Sequence, residues 1–312
     1  MNFSGEATFT NNLEGITWER YLREMRKRTP DEWILRGQSY QRPKRQESIK
    51  ISLKSGLERA LDSYQIHLSK APEIEQYMIR DFRRKYEGID SRIVSEDTLY
   101  CLSLMQHYGS PTRLLDFTFS PYVAAFFAVE NMSIDRKARR DAFVFCFNHK
   151  WINESARKKI GFLFKKRFDD KTITDKSFKP IYMEKKGSFM VAETPHQLHR
   201  RLSIQRGVFI IQGDISKSMM ENIKSMDGWQ SKKNLIIFKL KIETPKKLKK
   251  VYEDLRLMNI TRESLFPGLD GFAKSLKQNL YWYQDLKHLK NATNPFMKGV
   301  IKKGDSLNGK QT

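Results

Sequence analysis

The 312-residue sequence lacks the features that would anchor or cross-link a protein. It has only two cysteines, Cys101 and Cys146. Both lie inside apolar runs, which predicts small buried side chains in a reducing compartment rather than disulfides. No apolar run approaches the roughly 18–20 residues that a membrane span requires, and no secretory signal opens the sequence. We therefore expect a cytoplasmic protein with no membrane partner.

Several motifs of well-defined chemistry are also missing. The sequence contains no phosphate-binding Walker loop, no GxGxxG, no HExxH and no GxSxG. His196 and His199 lie three residues apart, but no cysteine or third histidine follows at the spacing of a zinc site. No metal site is predicted.

Acidic residues are few beside basic ones: 36 Asp and Glu stand against 58 Lys and Arg, for a net charge of +22. Such an excess favours polyanionic partners or a phosphate-bearing ligand. The stretches 136–171 and 246–250 are especially basic. Two interpretations are open, namely nucleic-acid binding through this surface and a lysine-rich surface that serves solubility.

The periodicity of apolar residues predicts an α+β fold. Helices are expected over 17–28 with a Thr17 cap, 52–67, 71–88 and 96–109, and strands over 32–38, 141–148, 187–193, 202–213 and 234–242. Gly37 is expected to end or bend the first strand. We predict one domain over residues 15–290, a mixed or antiparallel sheet with the N-terminal helices packed on it, and a flexible basic tail over 291–312.

The segment "LMQHYGSPTRLLDFTFSPYVAAFF" places polar side chains within the most apolar region. Ser120 before a proline predicts a helix start, and Asp116 and Thr118 lead into it, as at an anion site. Arg113, which Leu114 and Leu115 follow, needs an acidic or phosphate partner. It could pair with Asp116, or Asp116 could neutralise Arg36. These groups either line a ligand site or form buried ion pairs that only fix the fold.

Four motifs in order, "WILRGQ", the segment above, "HRRLSIQRGVF" and "LFPGLDGFAKSLK", resemble the FRG domain, a bacterial and phage family named for Phe-Arg-Gly. Leu35 replaces the phenylalanine, Phe117 the usual tryptophan and Ser120 a frequent asparagine. The resemblance covers residues 15–280. It implies a toxin-like or anti-phage context.

The order of parts is also similar to ADP-ribosyltransferases of the arginine-serine-glutamate type. That resemblance implies NAD as substrate, with Arg36 binding a phosphate or ribose and Thr118 or Ser120 steadying the arginine. The position expected to hold the catalytic glutamate is Gly207, with the neutral Gln205 two residues before it. Transferase chemistry would therefore need another carboxylate, such as Asp116 or Glu193.

From these patterns we predict a cytoplasmic effector that binds a nucleotide such as NAD and cleaves it or transfers from it. The alternatives are a nucleic-acid-binding module without enzymatic activity and a scaffold whose polar motifs lock the core. The candidate catalytic residues are Arg36, His107, Asp116, Thr118, Glu193 and Gln205. The candidate ligand-binding residues are Arg36, Gly37, Gln38, Arg113, Thr118 and Ser120.

Overall fold

A seven-stranded mixed sheet forms the centre of the computed structural model, with strand order β1-β7-β4-β2-β3-β6-β5. All neighbouring strands are antiparallel except β1 and β7, which are parallel. The strands are β1 (Leu13–Ile16), β2 (Trp33–Gln41), β3 (Leu114–Thr118), β4 (Arg140–Asn148), β5 (Met190–Glu193), β6 (Gly207–Gln212) and β7 (Leu235–Leu240). The predicted α+β class with a mixed sheet is confirmed.

The structure describes residues 12–28, 31–41, 51, 53–86, 97–132, 140–164, 182–183, 187–195 and 198–283. Residues Met1–Ile260 and Thr261–Thr312 form two compact units. The domain bounds 15–290 stay a prediction, and the predicted tail 291–312 lies outside the described residues.

The first unit contains nine described α-helices. They are α1 (Trp18–Arg26), α2 (Gly56–Ser63), α3 (Ala71–Lys85), α4 (Thr98–His107), α5 (Pro121–Val129), α6 (His149–Phe164), α7 (Arg200–Ile204), α8 (Met219–Lys224) and α9 (Pro245–Leu257). The described part of the second unit contains α10 (Arg262–Leu265) and α11 (Leu269–Tyr283). Among the described residues, no helix is long and apolar enough to cross a membrane.

Side-chain caps explain where the helices begin. Thr17 accepts the N–H of Arg20 at the start of α1, as the sequence predicts. Ser120 accepts the N–H of Val123 at the start of α5, and Pro121 occupies the first helical position. The run "VAAFFAV" makes helix α5 apolar on nearly every side, which predicts that the helix is buried. The structure confirms this, because most residues of α5 are buried.

Apolar side chains cover both faces of the sheet. One cluster joins the phenylalanines of β4 to β3, β6 and α8, and the other joins β6 to α3, α4 and α6. Cys101 and Cys146 are buried free thiols, as predicted.

Two local predictions are wrong. Gly37 does not end β2, because β2 continues to Gln41 and pairs with β4 along its whole length. Residues 202–206 are not part of a strand, because Arg200–Ile204 forms helix α7 and β6 begins only at Gly207. This helix has only five residues, and so few apolar positions do not show whether their spacing is that of a helix or that of a strand.

Candidate functional site

A cavity opens where strands β2 and β3 separate. The two strands pair at Leu35 and Thr118, whereas β2 pairs with β4 over nine residues and β3 pairs with β6 over five. The cavity has a volume of about 290 Å³. It is lined by β2, β3, one side of α5 and the end of α7, including Arg36, Gly37, Gln38, Ser39, Asp116, Thr118, Val123, Phe127, Glu130, Asn131, Arg140, Arg201 and Gln205.

Arg36 projects from β2 into this gap. Its Nη1 donates to the main-chain carbonyl of Asp116 at 2.7 Å, and its buried Nε has no hydrogen-bond partner. No carboxylate among the described residues forms an ion pair with it. Burial lowers the pKa of Arg36, and the nearby Asp116 opposes that effect. The guanidinium is thus partly desolvated and incompletely satisfied, which is costly unless a ligand completes it.

Asp116 is an exposed side chain held in place by its neighbours. Its Oδ1 accepts a hydrogen bond from Nε2 of Gln106 at 2.7 Å, and Oε1 of Gln106 accepts from the Thr112 hydroxyl at 2.5 Å. The carboxylate is therefore oriented at the cavity wall. It does not pair with Arg113, which corrects that predicted pairing. It also forms no ion pair with Arg36 and acts on it only as a nearby charge that raises the pKa of the guanidinium.

The Thr118 hydroxyl connects β3 to α7. It donates to the main-chain carbonyl of Gln205 at 2.6 Å and accepts the N–H of Ser120 at 2.9 Å. Thr118 and Gln205 both line the cavity, so the structure brings together residues 87 positions apart. Ser120 does not line it, and its hydroxyl caps α5.

Arg113 lies away from the cavity in a sealed ion pair. Its side chain is 1% exposed, and Glu75, which is 0% exposed, accepts from its Nε and Nη2. Nη1 also donates to the carbonyl of Tyr182 at 2.8 Å. The predicted need for an acidic partner is met by a residue of α3 that the sequence pattern did not single out. This geometry gives Arg113 a role in packing rather than in binding.

Glu193 and Gly207 also lie outside the ligand-facing surface. Glu193 is at the end of β5, in register with Phe209, which in turn is in register with Asp116, so a buried ring separates the two carboxylates. Burial raises the pKa of Glu193 to about 7. A Cβ at Gly207 would lie 2.2 Å from Cδ1 of Leu202. The Leu202 side chain therefore fills the space that the side chain of the expected glutamate would need.

His107 lies at the end of α4 beside His199, and their ring centroids are 4.7 Å apart. Burial lowers the pKa of both histidines, that of His199 to about 4, and Arg201 adds to the effect. Nδ1 of His199 accepts the N–H of Leu202 and so caps α7. Neither ring lines the cavity, but His199 positions the helix that carries Arg201 and Gln205 to it.

Sequence reasoning missed two arginines of the cavity, Arg140 and Arg201. Arg140 begins β4, and Arg201 lies in helix α7, directly before residues 202–204, which were expected to belong to a strand. Arg140 belongs to the basic stretch 136–171 and Arg201 does not, and only the tertiary fold distinguishes the two from surface arginines.

The basic stretches are only partly described. Residues 136–139 and 165–171 lie outside the described chain. Lys246–Lys250 belongs to α9, where Lys247 and Lys250 form ion pairs with Glu243 and Asp254. In the described part of the chain, no group of three or more His, Cys, Asp or Glu side chains could hold a metal ion.

No curated protein and no solved structure matches the chain significantly, so the similarity to ADP-ribosyltransferases stays a prediction. A family model does match. It spans residues 31–137, which include β2, β3 and α5 and therefore Arg36, Asp116 and Thr118. Arg201 and Gln205, which line the cavity from α7 and its C-terminal end, lie outside the match. By this match, the chain contains an FRG domain over residues 31–137.

Proposed function

We propose that the cavity binds a phosphate-bearing nucleotide, with NAD as the leading candidate. The observation that carries this proposal is Arg36, a partly buried guanidinium with an unsatisfied Nε and no ion pair among the described residues. A guanidinium forms forked, charge-assisted hydrogen bonds with phosphate oxygens. A phosphate in the cavity would therefore supply the anionic partner that this guanidinium lacks among the described residues.

The other charges of the cavity agree with an anionic ligand. Arg140 and Arg201 line it with Arg36, against the two carboxylates of Asp116 and Glu130. Its volume of about 290 Å³ is at the small end of ligand sites, which span about 300–1,000 Å³. One nucleotide moiety is therefore the expected occupant, and the other half of a dinucleotide would extend towards solvent.

Asp116 is the group that we assign to cleavage of a bound NAD. Nicotinamide leaves with the electron pair of its bond to ribose, and a nearby carboxylate stabilises the positive charge left on the ribose. Water or an acceptor nucleophile then forms a bond to that carbon and loses a proton to solvent. Gln106 holds the Asp116 carboxylate 2.7 Å from its amide, next to Arg36. Following the family resemblance, we propose that the protein acts as a cytoplasmic effector in a toxin or anti-phage context.

The test measures NAD binding by calorimetry and nicotinamide release by chromatography. Arg36→Ala is expected to weaken NAD binding about 10- to 100-fold, because a charge-assisted contact with phosphate is lost. Arg36→Lys keeps the positive charge but lacks the paired N–H donors of the guanidinium. It should therefore bind NAD more tightly than Arg36→Ala but more weakly than the wild type. Asp116→Asn should leave binding in place and abolish nicotinamide release.

Arg20→Ala is the matched control, because Arg20 is exposed on α1 and Glu14 is its ion-pair partner among the residues that the structure describes. It should bind NAD like the wild type. Equal affinity of the wild type and a folded Arg36→Ala for NAD would refute the proposal. If the chain instead binds DNA or RNA with a steep salt dependence that Lys247→Ala and Lys250→Ala reduce, the nucleic-acid alternative replaces it.

A further inference from the structure

A second cavity lies where α3 contacts α4, and its volume is about 450 Å³. Among the described residues it is lined by one face of α3, by the first residue of α4 and by a methionine that follows Tyr182, namely Gln76, Ile79, Arg80, Arg83, Arg84, Thr98 and Met183. It shares no described lining residue with the cavity that contains Arg36. The proposed function therefore makes no use of it.

The charged side chains of this second cavity are all positive. Three of its described lining residues are arginines, and none is acidic. Among the residues that the structure describes, Arg84 forms no ion pair, and Arg80 pairs with Asp81 at 3.1 Å. Both side chains of that pair are more than half exposed, and such a surface pair contributes little to stability. An anion could therefore bind Arg84 and Arg80 without breaking a strong ion pair.

Buried contacts hold the lining of the second cavity in place. Nη2 of Arg83 donates to the Thr98 hydroxyl at 3.0 Å, and Thr98 is only 2% exposed. Nη2 of Arg113 donates to Sδ of Met183 at 3.4 Å, and Arg113 is itself held by its buried ion pair with Glu75 of α3. Because these contacts exist without a ligand, binding would cost less entropy than it would in a loosely held cavity.

Two apolar side chains also line the second cavity. Ile79 is 5% exposed, and both Ile79 and Met183 pack in the apolar cluster that joins α3 to α4. An inorganic anion gains nothing from such side chains, whereas the carbon portion of an organic anion would leave water beside them. The lining therefore favours an organic anion.

The positions of the arginines in α3 also suggest a purely structural role. Arg83, Arg84 and Lys85 lie in the last turn of α3, where positive charge stabilises the C-terminal end of a helix. Lys85 is not among the described residues that line the cavity. Lys85 therefore shares the structural role but not the cavity, and it can separate the two in an experiment.

We infer that the second cavity binds a small organic phosphate, with the arginines on the phosphate group and Ile79 and Met183 beside its carbon portion. A guanidinium forms forked, charge-assisted hydrogen bonds with phosphate oxygens. The volume of about 450 Å³ lies within the range of small-molecule sites, about 300–1,000 Å³. The inference goes beyond the proposed function and does not depend on it.

The experiment measures the binding of phenyl phosphate, inorganic phosphate and phenol by calorimetry at constant ionic strength. The protein is the full chain carrying Arg36→Ala, which minimises binding in the first cavity. Phenyl phosphate is expected to bind about 10-fold more tightly than either other probe, because it alone can contact both the arginines and the apolar side chains. Adding Arg84→Ala should weaken the binding of phenyl phosphate about 10- to 100-fold. In a chain with Arg36 intact, Arg84→Ala should remove one bound phenyl phosphate.

Lys85→Ala is the matched control, because it removes a positive charge from the same turn of α3, and it should leave the affinity for phenyl phosphate unchanged. Arg80→Ala gives a second measurement if Arg84→Ala does not fold, and it should weaken binding in the same direction. The inference is overturned if phenyl phosphate does not bind, if inorganic phosphate binds equally tightly, or if Lys85→Ala has the same effect as Arg84→Ala. None of these results affects the proposed function, which is tested by the dependence of NAD binding on Arg36.

Discussion

Gly37 shows how a single residue sets the geometry of the cavity wall. It lies in the middle of β2, where a Cβ would come within 1.7 Å of the Ala124 carbonyl oxygen and 2.5 Å of the Ala128 nitrogen. Both atoms belong to the backbone of α5, so neither can move away as a side chain would. The glycine therefore permits α5 to pack directly on the strand that carries Arg36.

Gly37→Ala is expected to destabilise the protein by about 3 kcal/mol or more, because helix and strand must separate. Urea denaturation measures the effect. Gly15→Ala is the matched control: its Cβ would meet only the flexible Lys241 side chain, at 2.9 Å from Cε. That change should stay within roughly 1 kcal/mol. A Gly37→Ala protein as stable as the control would show that α5 does not pack so closely.

At the scale of elements, a helix protects one edge of the sheet. Among the strands that the structure describes, β5 has only β6 as a neighbour. On its other side Oδ1 of Asn153, on α6, accepts the N–H of Ala192 at 2.9 Å, and Nδ2 donates to the Ala192 carbonyl at 3.1 Å. The amide takes the place of a neighbouring strand and satisfies backbone groups that would otherwise pair with another chain.

Asn153→Ala is expected to cost about 1–3 kcal/mol, because two backbone groups beside a buried residue lose their partners. It should also accelerate amide hydrogen exchange at Ala192. Glu154→Ala changes the neighbouring exposed residue of α6, whose contact with Lys150 is 3.9 Å long, and should leave both measurements unchanged. Unaltered exchange at Ala192 in Asn153→Ala would contradict this role for α6.

At the scale of the whole molecule, ionisable groups that are partly removed from water make stability depend on pH in two opposing ways. Burial raises the pKa of Glu58 and of Glu193 from 4.5 to about 7. Because the folded state then binds more protons than the unfolded state, these groups lower stability as pH rises from about 4.5 to 7. Burial lowers the pKa of His107, His149 and His199. Below about pH 6.5 the unfolded state therefore binds more protons at these histidines than the folded state, so their contribution to stability increases as pH rises.

The difference between the wild type and Glu193→Gln isolates one of these contributions. The variant cannot ionise at this position, so the wild type should lose about 1–3 kcal/mol relative to it between pH 4.5 and pH 8. Urea denaturation at several pH values measures this difference. Glu58→Gln should behave in the same direction. Parallel stability curves for the wild type and both variants would rule out the raised pKa values.

Local signals in the sequence determined where two helices begin and which residues were chosen as candidates for the site. Thr17 and Ser120 identified their helices because a cap is a contact between residues three positions apart. The sequence motifs singled out Arg36, Asp116, Thr118 and Gln205, and the structure places all four on the lining of one cavity. The tertiary structure alone decided that Glu75 pairs with Arg113, that Gly37 is needed for the contact with α5, and that Arg140 and Arg201 face the cavity. Those outcomes depend on strand order and helix packing, which bring together residues whose separation in sequence carries no local signal.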